Sequence, residues 1–196
     1  MVTTVPDSVR LASWRFTLKT NSHRAASPYS FVQTPYDFMG GMWTATLDMT
    51  HMISSDASAV LAWVAGLDGV MESFTLPAVD YAGPFGVVTA NPTFADAALV
   101  RGKTIVLQLA AGDSAAVGDY VTIAGHLHII TTAEAPDVSD QQSVGISPRL
   151  RADVAAGAAV EMLAPYGTWA LAKGDEGASL SQTGVRSRSL SLNEAL

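Results

Sequence analysis

His126 and His128 stand one residue apart, a spacing that could do chemistry in this 196-residue chain. On a strand, side chains at i and i+2 share a face, so the two imidazoles could grip a transition metal between them. The other histidines, His23 and His51, are remote, and no carboxylate lies close to the pair in sequence. Lacking a third ligand, the pair reads as a solvated hairpin edge. Met39-x-x-Met42 and Met49-x-x-Met52 offer thioethers at a spacing that can hold Cu(I). Met49 continues the apolar face of a strand, however, so adaptable packing in a core or interface accounts for them better. Gly102-Lys103-Thr104 lacks the upstream glycine of a phosphate-cradling loop. Asp137 and Asp140 sit in a loop with no apolar pocket to separate their pKa values. There is no Gly-x-Ser-x-Gly, no Ser-x-x-Lys and no cysteine, which removes serine elbows, thiolate nucleophiles, thiolate metal sites and disulfides. No catalytic residue, metal site or cofactor is expected, and the chain does not read as an enzyme. Arg149-x-Arg151 and Arg186-x-Arg188 each put two guanidiniums on one strand face, which suits an acidic neighbour or an ordinary solvated edge equally.

The elements that position these residues read as mainly β. Residues 11–19 alternate, with Ala12, Trp14, Phe16 and Leu18 on one face. Residues 20–28 read as a polar loop and 29–33 as a short strand ended by Pro35. Gly40-Gly41 reads as a turn into residues 42–49, where Trp43, Ala45, Leu47 and Met49 share a face. Ser54 or Ser55 offers an N-cap, Asp56 suits the first turn, and Ala57, Val60, Leu61, Val64 and Leu67 recur at helical spacing until Gly66, Asp68 and Gly69 stop the helix. A helix of about 12 residues is marginal alone and must dock; burying Val60, Leu61, Val64 and Leu67 contributes at most roughly 6–12 kcal/mol. The face carrying Trp14 and Trp43 is the expected acceptor. Residues 70–76 return as a strand.

From Ala82-Gly83-Pro84 to Pro165 the helical period disappears. Short strands are expected at 103–110, 119–124, 127–132, 142–147 and 158–163, with Val121 and Ile123 facing Leu127 and Ile129, as in a small antiparallel barrel. Residues 167–171 and 185–192 read as two more strands around a polar turn at 173–177, and Trp169 restores the aromatic character of the first segment. The expected fold is therefore a β-sandwich or roll with one docked α-helix, from residues 1–82 with 166–196, plus an inserted small β-barrel domain, residues 83–165.

Composition narrows the function. Net charge is −7 and pI about 4.8, which argues against a nucleic-acid surface. The longest apolar run, residues 59–67, is far short of the ~20 residues that span a bilayer. The first residues show no signal-peptide pattern. Charged residues are 15% of the chain, against about 25% in ordinary domains, and mean hydropathy is +0.25. Either the chain is simply rich in small residues, or it buries surface against other subunits; the second is the reading carried forward.

In order, Tyr36-Asp37-Phe38-Met39-Gly40-Gly41-Met42-Trp43, the helix with Ala62-Trp63 ending near Leu67-Asp68-Gly69, Met71-Glu72-Ser73-Phe74-Thr75-Leu76, Ala116-Val117-Gly118-Asp119-Tyr120-Val121-Thr122-Ile123, Ile146-Ser147-Pro148-Arg149-Leu150-Arg151 and the last two strands span most of residues 10–195. This ordered set resembles the tail-tip proteins of long-tailed, non-contractile bacteriophages, and is similar to distal tail or baseplate-hub proteins. The resemblance implies a structural protein of the virion, assembled in the bacterial cytoplasm. It implies a homo-oligomeric ring of six-fold or three-fold symmetry between the tail tube protein and the hub and fibre proteins. The expected interface or core-wall residues are Trp14, Phe16, Tyr36, Phe38, Met42, Trp43, Trp63, Trp169, Arg186 and Arg188. The alternative is a carbohydrate- or receptor-binding β module of the same virion, for which Asp119 and Tyr120 are the only aromatic–carboxylate pair in the middle segment. A metal-dependent hydrolase built on His126 and His128 is a third reading.

Overall fold

The computed structural model describes residues 3–4, 11–52, 54–78, 81–173, 178–180 and 186–196. Over these the chain is mostly β, with one α-helix among the described residues. β1 is Thr3–Thr4, β2 Leu11–Ala26 and β3 Gln33–Met52; α1, Ser54–Gly66, and β4, Ser73–Pro77, follow. Then come β5 (Thr93–Phe94), β6 (Thr104–Gln108), β7 (Tyr120–Ile123), β8 (His126–Ala133) and β9 (Gln141–Ser147). β10 (Tyr166–Leu171), β11 (Ala178–Leu180) and β12 (Arg186–Glu194) close the chain. One sheet has seven strands in the order β1-β4-β10-β12-β3-β2, with β11 beside β12; the other has five, β5-β6-β9-β8-β7. Pairing is antiparallel apart from β1 with β4. The first sheet takes its strands from both ends of the sequence and the second from the middle. The expected turn at 173–177 and Val185 lie partly or wholly outside the described residues.

The alternation in the sequence explains the first core. Trp43, Ala45, Leu47 and Met49 of β3 are buried, as are Leu190 and Leu192 of β12, Trp169 and Leu171 of β10, and Phe74 and Leu76 of β4. Trp14, Phe16 and Leu18 of β2 pack against this cluster from the sheet's end. Hydroxyl residues, among them Thr44, Thr46 and Thr75, occupy the intervening positions of the pleat.

α1 covers part of this apolar face with Val60, Trp63, Val64 and Leu67. The sequence pattern put Leu61 on that face; it is 55% exposed, and Trp63 takes its place, edge-on to Phe74 with ring centroids 4.9 Å apart. The helix is turned so that the larger ring, rather than the leucine, fills the space above β4. It stops where expected: Asp68 and Gly69 adopt φ of 48° and 67°, the left-handed cap that ends a helix.

The β7–β8 hairpin completes the cover. Tyr120, Leu127 and Ile129 join the first core, whereas Val121, Ile123 and Ile130 join a second one with Phe94, Ile105, Leu107, Val144 and Ile146. Tyr120 is paired with Ile129 and Val121 with His128. The expected facing of Val121 and Ile123 on Leu127 and Ile129 is therefore incorrect; these residues point to opposite faces of a hairpin buried on both sides.

Three expected breaks are not breaks: residues 20–26 extend β2 rather than forming a loop, and β3 runs unbroken through Pro35 and through Gly40-Gly41. Conversely, the expected strand at 29–33 falls largely in a turn. β12 pairs with β3 only from Thr44 to Met52, so beyond Thr44 the β2–β3 pair is a two-stranded ribbon. Proline is tolerated there because, among the described residues, one side of β3 has no strand partner. Residues 158–163 form only single bridges, of Ala159 to Thr93 and of Glu161 to Thr122, and not a strand.

The corrected helix face is testable by urea unfolding. Trp63→Ala costs about 3–5 kcal/mol, the range for emptying a large aromatic site, while Leu61→Ala changes stability by no more than about 0.5 kcal/mol. Gly86→Ala is also destabilising, by about 1–3 kcal/mol, because a Cβ there would lie 2.0 Å from the Ser114 carbonyl oxygen.

Candidate functional site

The wall residues expected from sequence divide into two groups. Trp43, Trp63 and Trp169 are buried core, and Trp14 and Phe16 are half-buried against it. Arg188 is also buried, in β12 opposite Met49. Only the backbone of Arg186, opposite Met52, is described; its side chain lies outside the described residues. Tyr36 and Phe38 are instead exposed on the ribbon, and half-buried Met42 lies at its base.

The ribbon carries more apolar surface than the sequence reading assigned to it. Tyr29 is 95% exposed, Phe31 81%, Val32 64% and Phe38 63%, with Met39 also half in solvent. Ser27 and Val32 close the tip through backbone hydrogen bonds, and Phe31 sits there at φ 55°. Near the base, Met39 takes φ 57°, and its N–H donates to Asp37 Oδ1 at 2.8 Å. This local turn accompanies the irregularity opposite Asn21 and Ser22 and leaves the other Asp37 oxygen 2.9 Å from Arg149 Nη2. The Met39 N–H and the Arg149 guanidinium hold the Asp37 carboxyl below its ordinary range.

Beside this base lies a buried charge cluster. Glu194, with a side chain 2% exposed, accepts from the Trp43 backbone N–H at 3.0 Å and from Arg151 Nη2 at 2.5 Å. His126 Nδ1 is 3.3 Å from its other oxygen. Burial alone would raise the Glu194 pKa; the contacts from His126, Arg151 and Trp43 outweigh it and hold the carboxyl below the usual range. His128, at 1% exposure, is no solvated hairpin edge, as its spacing had implied. It is enclosed between the hairpin and the segment after β9, with Nδ1 2.8 Å from the Pro148 carbonyl oxygen. Burial pushes its pKa down to about 4, only partly offset by that hydrogen bond and by Glu194. The ring is therefore neutral at pH 7, with Nδ1–H donating to Pro148.

Asp119 and Tyr120 do not form an exposed pair. Asp119 is fully buried and accepts from the backbone N–H groups of Phe85 and Ala116 at 2.6 and 2.8 Å. Tyr120 packs among Phe16, Trp43 and Tyr81. Among the described residues no group of three or more His, Asp or Glu is placed to hold a metal ion, and no helix is long and apolar enough to cross a membrane. No family model and no curated protein matches the chain.

The cluster predicts acid lability. His128 binds its proton near pH 6.5 when unfolded but only near pH 4 when folded, so its contribution is complete above about pH 6.5 and disappears as pH falls through 4. The loss is about 3 kcal/mol in unfolding free energy, and the lowered pKa of Glu194 adds a further loss at the acid end. Urea titrations between pH 7.5 and 4 read the slope, and His128→Gln flattens it in that window.

Proposed function

We propose that this chain is a structural component of the tail tip of a long-tailed, non-contractile bacteriophage. It assembles with copies of itself into a ring that connects the tail tube protein to the hub and fibre proteins. The ring is part of the virion and forms in the bacterial cytoplasm. The observation that carries this reading is the β2–β3 ribbon. A two-stranded hairpin bared on both faces is marginal in water, and this one adds exposed tyrosine, phenylalanine, valine and methionine side chains. Among the described residues the outer edge of β2 has no strand partner over its 16 residues, which leaves a template for a neighbour to cover. A chain with only 15% charged residues fits a subunit whose flanks are covered by others.

In this reading residues 1–82 with 166–196 form the ring wall, a β-sandwich or roll with its docked helix. Residues 83–165 are an inserted small barrel that projects outward or along the axis. The protein performs no catalysis. The alternative, a receptor- or sugar-binding module, loses the middle-segment pair on which it was built, since Asp119 is fully buried and Tyr120 packs among Phe16, Trp43 and Tyr81.

Sedimentation velocity over a wide concentration range, alone and with tail tube protein, tests the proposal. Discrete ring-sized assemblies or tube binding are expected, with six-fold or three-fold symmetry in electron micrographs. Tyr29→Ser with Phe31→Ser weakens assembly at least about ten-fold without lowering the thermal midpoint, since both side chains are exposed. A particle that stays monomeric and binds no tube protein overturns the reading.

A further inference from the structure

β9 begins at Gln141 beside an acidic turn and ends at Ser147 beside a basic crease. Its seven residues, six steps of about 3.3 Å, set the two about 20 Å apart. The turn contains Glu134, Asp137 and Asp140 around Val138, which is wholly exposed. Its shape is built: Asp137 Oδ1 accepts from the N–H groups of Ser139 and Gln141 at 2.7 and 2.9 Å, and Gln108 Nε2 donates to the Ser139 carbonyl at 2.9 Å. The crease lies where the ribbon base meets the second sheet and holds two adjoining cavities of about 220 and 370 Å³. Leu18, Met39 and Pro148 give the first an apolar lining, and exposed Leu196 borders the second. Four cations line the pair: Lys103 and Arg149 in one, Lys19 and Arg151 in the other. Asp37 pairs with Arg149 and Glu194 with Arg151. Lys19 and Lys103 are exposed and take part in no ion pair among the described residues. In a chain of net charge −7, this is a local excess of positive charge beside an apolar floor.

We infer that the acidic turn of one copy seats in the crease of the next copy, with Val138 on the apolar floor and the turn's carboxylates facing Lys19 and Lys103. An apolar knob flanked by acids meets an apolar hollow flanked by bases, and the charges fix both register and direction. Because donor and acceptor surfaces lie at opposite ends of one strand, the contact joins copies head to tail, and such contacts close into a ring when the rotation per step divides a full turn. The inference rests on the ring reading and names the surfaces by which the copies meet.

Two charge-altered proteins test it: Lys19→Glu with Lys103→Glu, which makes the crease acidic, and Glu134→Lys with Val138→Lys, which cancels the turn's negative charge and replaces its apolar knob. All four side chains are exposed, so circular dichroism and thermal midpoints match the unaltered chain. Sedimentation velocity at low and high salt is expected to show each variant assembling at least ten-fold more weakly than the unaltered chain. An equimolar mixture recovers assembly, because the unaltered turn of one variant then meets the unaltered crease of the other, and the new lysines meet the new glutamates. The unaltered chain assembles less as salt rises. Variants that assemble like the unaltered chain, or a mixture that fails to recover, overturn this contact while leaving the ring reading in place. An unaltered chain that never assembles and binds no tube protein overturns both.

Discussion

The two sheets are tied together through Trp43. Its indole N–H donates to the Leu127 carbonyl in the β7–β8 hairpin at 2.8 Å, and its backbone N–H donates to the buried Glu194 carboxylate at 3.0 Å. Its ring lies edge-on to Phe16 at 5.9 Å and near Tyr120 at 6.4 Å. One residue therefore fixes β3 against the end of β12 and draws the second sheet onto the first core. The geometry follows from a shortage of cover: a single 13-residue helix cannot shield the apolar face of so broad a sheet. The β7–β8 hairpin supplies the rest, which is why it is apolar on both sides while an ordinary surface hairpin is not.

The same arrangement explains the buried polar groups. Arg151 and His126 come from the second sheet's segment, Glu194 from the end of β12, and they meet beside Trp43. An isolated Glu194 carboxylate at that depth would be costly; with an arginine, an imidazole and a backbone N–H around it, its charge is retained. Asp113 and Asp119 do related work in loops, accepting from the backbone of Thr89 and of Phe85 and Ala116.

Where side-chain alternation was strong, the fold was legible in the sequence. The apolar face of β3, the strand at 167–171 and the helix with its stop at Asp68 and Gly69 all followed from local pattern. The ribbon did not, because residues 20–26 are polar on both faces and so carry no alternation, while Pro35 and Gly40-Gly41 look like breakers. They are tolerated because, among the described residues, β3 has only β2 as partner there. Leu61 and Trp63 both fit a helical stripe, and only the space above Phe74 decides between them. His128 was misread for a different reason: Pro148, Arg151 and Glu194, which enclose and influence it, are 20 to 66 positions away in the chain. Distant partners leave no periodic trace. The apolar tip of the ribbon was visible as Tyr29, Phe31 and Val32, but its exposure depended on recognising the ribbon first.

In the proposed ring, a neighbouring copy covers the ribbon. Hydrogen exchange followed by mass spectrometry, across dilute and concentrated protein, tests this most directly. Amides of residues 20–41 are predicted to exchange fast when dilute and to gain protection as assemblies form, while the β3 segment from Trp43 to Met49 stays protected throughout. Ribbon amides whose exchange is the same at every concentration, and unaltered by added tail tube protein, are incompatible with a ribbon covered on assembly.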